Sequence, residues 1–138
     1  MAAKTTYLAN RVLDQVLNGN AQFSTSWAAL VYVGLFLTDP GLGGSIASEV
    51  VPDTPTPDYA RQVIAWGTIA SGFIANTGTI TFAVATVAWG DIYYAGIMDV
   101  ATLLTGNMLY KGLLGAHRNV GIGDQVSFAN GTLIATES

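Results

Sequence analysis

His117 is the chain's single imidazole, and it stands beside Arg118 in Gly115-Ala-His-Arg-Asn119, a stretch that reads as a polar turn. General acid–base work needs a histidine oriented by a carboxylate or serving a nucleophile, and no serine or carboxylate is close in sequence. Asp53 and Asp58 bracket a proline-rich stretch and could share a weakly held cation, but loop carboxylates are solvated by default. There is no cysteine and no cluster of His, Asp or Glu, so no convergent set of metal ligands is visible. Gly41-Leu-Gly-Gly-Ser-Ile46 opens like a dinucleotide loop, yet Ile46 occupies the third-glycine position and a proline-rich stretch follows where a helix should begin. Asn130-Gly-Thr132 fits the glycosylation pattern, but nothing else suggests secretion. The residues therefore predict no catalytic group, no metal and no cofactor: a chain that is not an enzyme.

Trp27, Trp66 and Trp89, with Tyr93 and Tyr94, offer aromatic faces of the kind that stack on sugars. Trp66 ends an expected strand and Trp89 precedes one, so both are expected to cap the core with their indole N–H near its rim.

The chain has five basic and nine acidic residues among 138, about 10% charged, where globular domains usually carry about 25%. A surface this poor in charge is either neutral Ser, Thr, Asn and Gly or covered by other chains. Lys4, Arg11, Arg61, Lys111 and Arg118 are scattered singly, and a nucleic-acid binder needs them clustered to displace counterions, so no nucleic acid is expected as a partner. Mean hydropathy is positive, and residues 62–90 carry no formal charge, long enough for a membrane span. That stretch is nevertheless interrupted by Thr68, Ser71, Asn76, Thr77, Thr79, Thr81 and several glycines, which break it into short β segments. No membrane insertion is expected, and the opening MAAKTTYLAN lacks the apolar region of a signal peptide.

One domain is expected over residues 1–138. Leu8, Val12 and Val16, with Leu13 and Leu17 beside them, repeat at helical spacing and predict an amphipathic helix over about 5–18, capped by Thr5 or Thr6 and closed by Gly19. It either packs on a sheet or docks on a partner. The period then changes: residues 29–37 form an apolar, β-branched and aromatic run that predicts a central strand. Further strands are expected at 59–66, 79–84, 91–98, 107–114, 125–129 and 132–136. Asn130-Gly131 marks a hairpin between the last two. Several strands, Gly-rich turns and one helix predict a mainly β fold, a β-sandwich or jelly-roll-like barrel built from about 29–37 and 59–136.

All four prolines fall between Pro40 and Pro57. A connection near twenty residues without periodicity is unusual inside a compact domain. Proline lowers the entropy lost on ordering, so residues 39–58 are either a surface loop or an arm reaching a neighbouring subunit. The arm reading makes Asp39, Pro40, Val51, Pro52, Pro55, Pro57 and Tyr59 the candidate contact residues.

The order of segments resembles a family of small tailed-phage virion structural proteins. The resemblance is carried by Tyr7-Leu-Ala-Asn-Arg-Val-Leu-Asp-Gln-Val-Leu-Asn-Gly19, Val31-Tyr-Val-Gly-Leu-Phe-Leu-Thr-Asp-Pro-Gly41 and Asp58-Tyr-Ala-Arg-Gln-Val63. It continues in Asn76-Thr-Gly-Thr-Ile-Thr-Phe82, Trp89-Gly-Asp-Ile-Tyr-Tyr-Ala-Gly-Ile-Met-Asp99, Asn107-Met-Leu-Tyr-Lys-Gly-Leu113 and Gly123-Asp-Gln-Val-Ser-Phe-Ala-Asn-Gly-Thr132. It spans nearly the whole chain as a pattern of strands and turns. Members are labelled head decoration (cement) proteins or tail-fibre-like proteins, so the resemblance implies a virion component without catalytic residues.

Between those positions, low charge favours capsid decoration, because burying neutral surface across shell seams costs little desolvation. The expected partners are then the major capsid protein, or tail proteins, and further copies of the chain as a dimer or trimer. A tail-fibre module and a glycan-binding β-sandwich using Trp27 or Tyr94 are the competing expectations.

Overall fold

The computed structural model describes residues 3–18, 30–50 and 58–136. Its elements are β1 (Ala3–Lys4), α1 (Thr6–Asn18), β2 (Tyr32–Phe36), β3 (Gln62–Val63), β4 (Phe73–Ala75), β5 (Ile80–Thr81), β6 (Gly90–Met98), β7 (Met108–Val120), β8 (Ser127–Phe128) and β9 (Ile134–Thr136). A five-stranded antiparallel sheet runs in the order β1-β7-β6-β2-β3, and two short pairs, β4-β9 and β5-β8, stand apart from it. The fold is mainly β with one helix near the start. It is not a closed barrel: β1 and β3 end the large sheet, and each is two residues long.

The apolar run of β2 is explained by burial on both faces. Val33 and Leu35 join Ile92, Ala95 and Ile97 of β6 and Val120 of β7 in the main core, to which the short pairs and the residues beside them add Ile80, Phe82 and Ala135. Tyr59, Phe82 and Trp89 meet there ring to ring. Tyr59 stacks on Phe82 at 5.8 Å, and Trp89 stands edge-on to both at 5.4 and 6.3 Å. On the opposite face Phe36, Met98 and Met108 form a smaller cluster under Ile46. Gly34 and Gly96 face each other across β2 and β6 on this side. A Cβ on Gly96 would lie 2.7 Å from Met108 Cε and 2.8 Å from Phe36 Cε2, so the glycine makes room for both side chains.

The helix begins where the hydroxyl chemistry places it. Thr5 is buried, its Oγ1 accepts the Leu8 amide at 3.4 Å, and it donates to the Met108 carbonyl. One side chain therefore caps α1 and ties it to β7.

Several expectations need correction. The strand expected at 59–66 shrinks to Gln62–Val63, and those at 79–84, 125–129 and 132–136 shrink to β5, β8 and β9. Asn130-Gly131 is a turn, with Gly131 at φ 77°, but not a hairpin: β8 pairs with β5, and β9 with β4. The buried Asn76 explains why. Its Nδ2 donates to the Gly78 and Ala129 carbonyls at 2.8 and 3.2 Å and its Oδ1 accepts the Leu133 amide at 2.9 Å, drawing the turn onto a distant segment. Residues 115–119, expected as a polar turn, continue β7 to Val120; polarity there marks an outer face rather than a chain reversal. Trp89 is at the core rim as expected, its Nε1 donating to Asp58 Oδ1 at 3.0 Å; Trp66, half-buried, packs against the same core, and Trp27 lies outside the described residues.

Asp58 gives a pH-dependent tie. Desolvation pushes its pKa up, but the Thr86 amide and hydroxyl, the Trp89 indole and the Val87 amide outweigh it and hold the pKa at about 2, below the ordinary 3.8. The folded-state pKa is depressed, so the stabilisation is complete above pH of about 4 and is lost as pH falls toward 2. Because the carboxylate is open to solvent, Asp58→Ala is expected to cost only about 1 kcal/mol at neutral pH. Denaturant titrations of both chains should converge as pH falls from about 5 to 2.

Candidate interaction surface

The proline segment is tied down on both sides of its undescribed middle. Asp39 Oδ1 accepts from Lys111 Nζ at 2.5 Å and from the Gly41 amide at 2.8 Å, and the Lys111 ammonium leads the lowering of the Asp39 pKa. Pro40 is buried, and the chain folds back along β2: the Leu37 amide donates to Ser48 O at 2.9 Å and the Val50 amide to Leu35 O at 2.9 Å. Val51, Pro52, Pro55 and Pro57 lie outside the described residues. Tyr59, named with the arm at the sequence level, is interior at 1% exposure.

Glu49 and Arg61 close this arrangement with a buried ion pair. Arg61 Nε and Nη2 donate to the two Glu49 oxygens at 2.6 and 2.7 Å, and Nη1 donates to the Val100 and Thr105 carbonyls at 2.8 and 3.1 Å. Glu49 also accepts the Leu104 amide at 3.0 Å and the Tyr59 hydroxyl at 3.3 Å. Tyr59 Oη in turn accepts the Leu35 amide at 2.7 Å, and burial, followed by the Glu49 charge, raises the Tyr59 pKa far above its ordinary value. The network clips β2, the proline segment and the β6–β7 connection together. Reading the five cations as scattered singly missed this pair, and Glu49 carried no sequence signal of its own.

A second region is different in kind. An apolar cleft of about 280 Å³ opens between the large sheet and β4-β9, with Val31, Trp66, Ile97, Leu109, Tyr110 and Ala135 in its walls and Ile69 and Phe73 on its lip. A second cleft of about 250 Å³ adjoins it, sharing Ile97 and Tyr110 and adding Leu113, Leu114, Phe128, Leu133 and Ile134. Four large apolar side chains on these lips face solvent: Ile69 at 72%, Leu113 at 63%, and Phe73 and Ile134 at 42% each. Scattered exposed apolar residues are ordinary, but several around two adjoining clefts make a contiguous exposed apolar patch.

β7 forms one wall of these clefts, and only Tyr110 and Lys111 of it pair with β1. From Gly112 to Asn119 no described strand lies on the side away from β6. Sheet edges of this sort are covered in most assemblies or guarded by charge or a bulge. Here the ladder jumps from Ile92↔Arg118 to Tyr94↔Leu113, so the edge is bulged and the apolar lips are the stronger feature.

As to reaction chemistry, His117 is exposed and stacks on Tyr93 with ring centroids 5.1 Å apart. Among the described residues no three His, Asp or Glu side chains converge as a metal site, and no helix is long and apolar enough to cross a membrane. Tyr94, half-buried, lies under Lys111 Nζ at 5.7 Å. What the geometry offers is contact: neutral, apolar and pre-shaped. The family model described as Podophage GP4 fiber I protein gp80 matches residues 3–136. No curated protein gives a significant sequence match.

Proposed function

The chain belongs to the podophage GP4 fiber I protein gp80 family, a family of phage virion structural proteins, and from that premise we propose that it is a non-catalytic subunit of a phage fibre, assembled from like copies through its apolar clefts. The observation that carries the reading is the row of exposed Ile69, Phe73, Leu113 and Ile134 around those clefts. Placing such side chains against another chain removes apolar area from water at about 25 cal/mol per Å². The low charge of the chain keeps the accompanying desolvation cost small.

A fibre subunit must also transmit load without unravelling. The buried Glu49–Arg61 network ties the proline segment and the β6–β7 connection to the sheet. Asp39–Lys111 ties its start to β7. A dimer or trimer of copies is the assembly that this geometry favours, because the same lips recur on every copy.

Capsid decoration across major-capsid-protein seams draws on low charge and on a proline arm clamping a neighbour; low charge serves any seam in the particle, and the described flank of the arm is bonded to its own chain. The family's description favours the fibre. Gold-labelled antibody against this chain, applied to intact particles, is expected to decorate fibres. Gold spread over the head would overturn the fibre assignment in favour of decoration, and unlabelled particles would overturn the structural role.

A further inference from the structure

We propose that the outward face at the far end of β6–β7 is a binding site for a neutral saccharide. Asp91 and Tyr93 on β6 are exposed while Ile92 between them is fully buried, so both point away from the core. Across the ladder, Asn119 stands directly opposite Asp91, and its Nδ2 donates to Asp91 Oδ1 at 2.9 Å. His117, two residues on, lays its ring against Tyr93 with centroids 5.1 Å apart and planes within 23°. Four exposed side chains of three chemical kinds thus share one small surface: a carboxylate, a carboxamide and two aromatic rings.

Each kind matches a part of a pyranose. An aromatic face suits the apolar C–H face of a sugar ring, and the Tyr93–His117 stack is held upright without ligand, which limits the entropy lost on binding. The Asp91–Asn119 pair offers planar acceptors and a donor side by side, the groups that vicinal hydroxyls need. Their mutual hydrogen bond fixes both before any ligand arrives. Asn119 also lines a groove of about 510 Å³ between β7 and β8, together with Arg118, Asp124, Gln125 and Ser127 and with Leu114, Val126 and Phe128. A groove that mixes polar and apolar groups gives a second ring of an oligosaccharide a place to lie. The register that pairs Asp91 with Asn119 and Ile92 with Arg118, carried one step further, sets His117 beside Tyr93 just before the ladder shifts to Tyr94↔Leu113.

The charges exclude other ligands. Arg118 is the one cation beside His117 along β7, too few for a nucleic-acid backbone. Asp91 repels an anionic sugar, which is why the site is assigned to neutral ones. The Asp91, Tyr93, His117 and Asn119 side chains line neither apolar cleft, although the adjoining groove shares Leu114 and Phe128 with the second one, and the site does not depend on whether the chain sits in a fibre.

The single histidine makes the test direct, because the two imidazole C–H signals of the purified chain, on Cε1 and Cδ2, both belong to His117. Methyl glucoside, methyl galactoside and N-acetylglucosamine, titrated separately, are the probes, with a short acidic peptide as the competing ligand class. At least one sugar is expected to shift the His117 signals saturably. Asn119→Ala and Tyr93→Ala, both exposed positions, are each expected to weaken that sugar about tenfold or more. No shift with any sugar, a shift with the peptide alone, or a sugar shift that both variants leave unchanged would overturn the site.

Discussion

Replacing Glu49 by alanine is expected to cost about 3–5 kcal/mol of folding stability, the largest single-residue effect in this chain outside the aromatic core. The loss does not measure the worth of the ion pair. It measures what Arg61 becomes without it: a guanidinium at 5% exposure with two carbonyls and no counter-charge. The Leu104 amide and the Tyr59 hydroxyl lose their acceptor at the same time. The double variant Glu49→Leu/Arg61→Met removes both charges and is expected to recover most of the loss, because apolar replacement of a whole buried pair is often neutral or stabilising. Denaturant unfolding of the two single variants and the double variant reads the cycle. Simple addition of the single losses in the double variant would show that the pair does not act as a unit.

The second large effect falls on assembly rather than folding. Ile69 and Leu113 are mostly exposed, so Ile69→Asp with Leu113→Asp is expected to change the stability of the single chain by no more than about 0.5 kcal/mol per site. In an assembly that closes over the clefts, each new carboxylate is buried without a partner at several kcal/mol. The association constant is expected to fall at least about a hundredfold, since each 1.4 kcal/mol is a factor of ten. Sedimentation over a concentration series checks this. Equal association by the original chain and the variant would remove the apolar lips from the account.

How much could be read before the fold was known depended on how local each signal was. α1, β2 and β6 were legible because each is written in contiguous residues: a helical apolar spacing at Leu8 and Val12, an unbroken apolar run at Val33–Gly–Leu–Phe36, and Trp89 just ahead of a strand. The polar end of β7 was misread because His117, Arg118 and Asn119 face solvent, and an outward strand face shares its composition with a turn. β4 left no trace, since Phe73–Ala75 is stabilised by Ile134–Thr136, some sixty residues away. The Asn130-Gly131 signal was correct about the turn and wrong about the pairing, for Asn76 takes over the carbonyl and amide on either side of it.

The interaction surface was the least legible part. Ile69, Phe73, Leu113 and Ile134 are isolated apolar residues in four different segments, and only the packing of β4-β9 against the large sheet brings them round one opening. The proline cluster was the more conspicuous feature, yet its described flank is occupied with its own chain through Pro40, Glu49 and Val50. The resemblance in segment order pointed correctly to a phage virion structural protein, whereas low overall charge, which favoured capsid decoration, suits any seam in the particle.

Hydroxyl-radical footprinting of the intact particle beside the free chain tests the central claim most directly, because it reads side-chain exposure residue by residue. The account predicts that Ile69, Phe73, Leu113 and Ile134 are oxidised readily in the free chain and are strongly protected in the particle. Equal oxidation of all four in both states would contradict it.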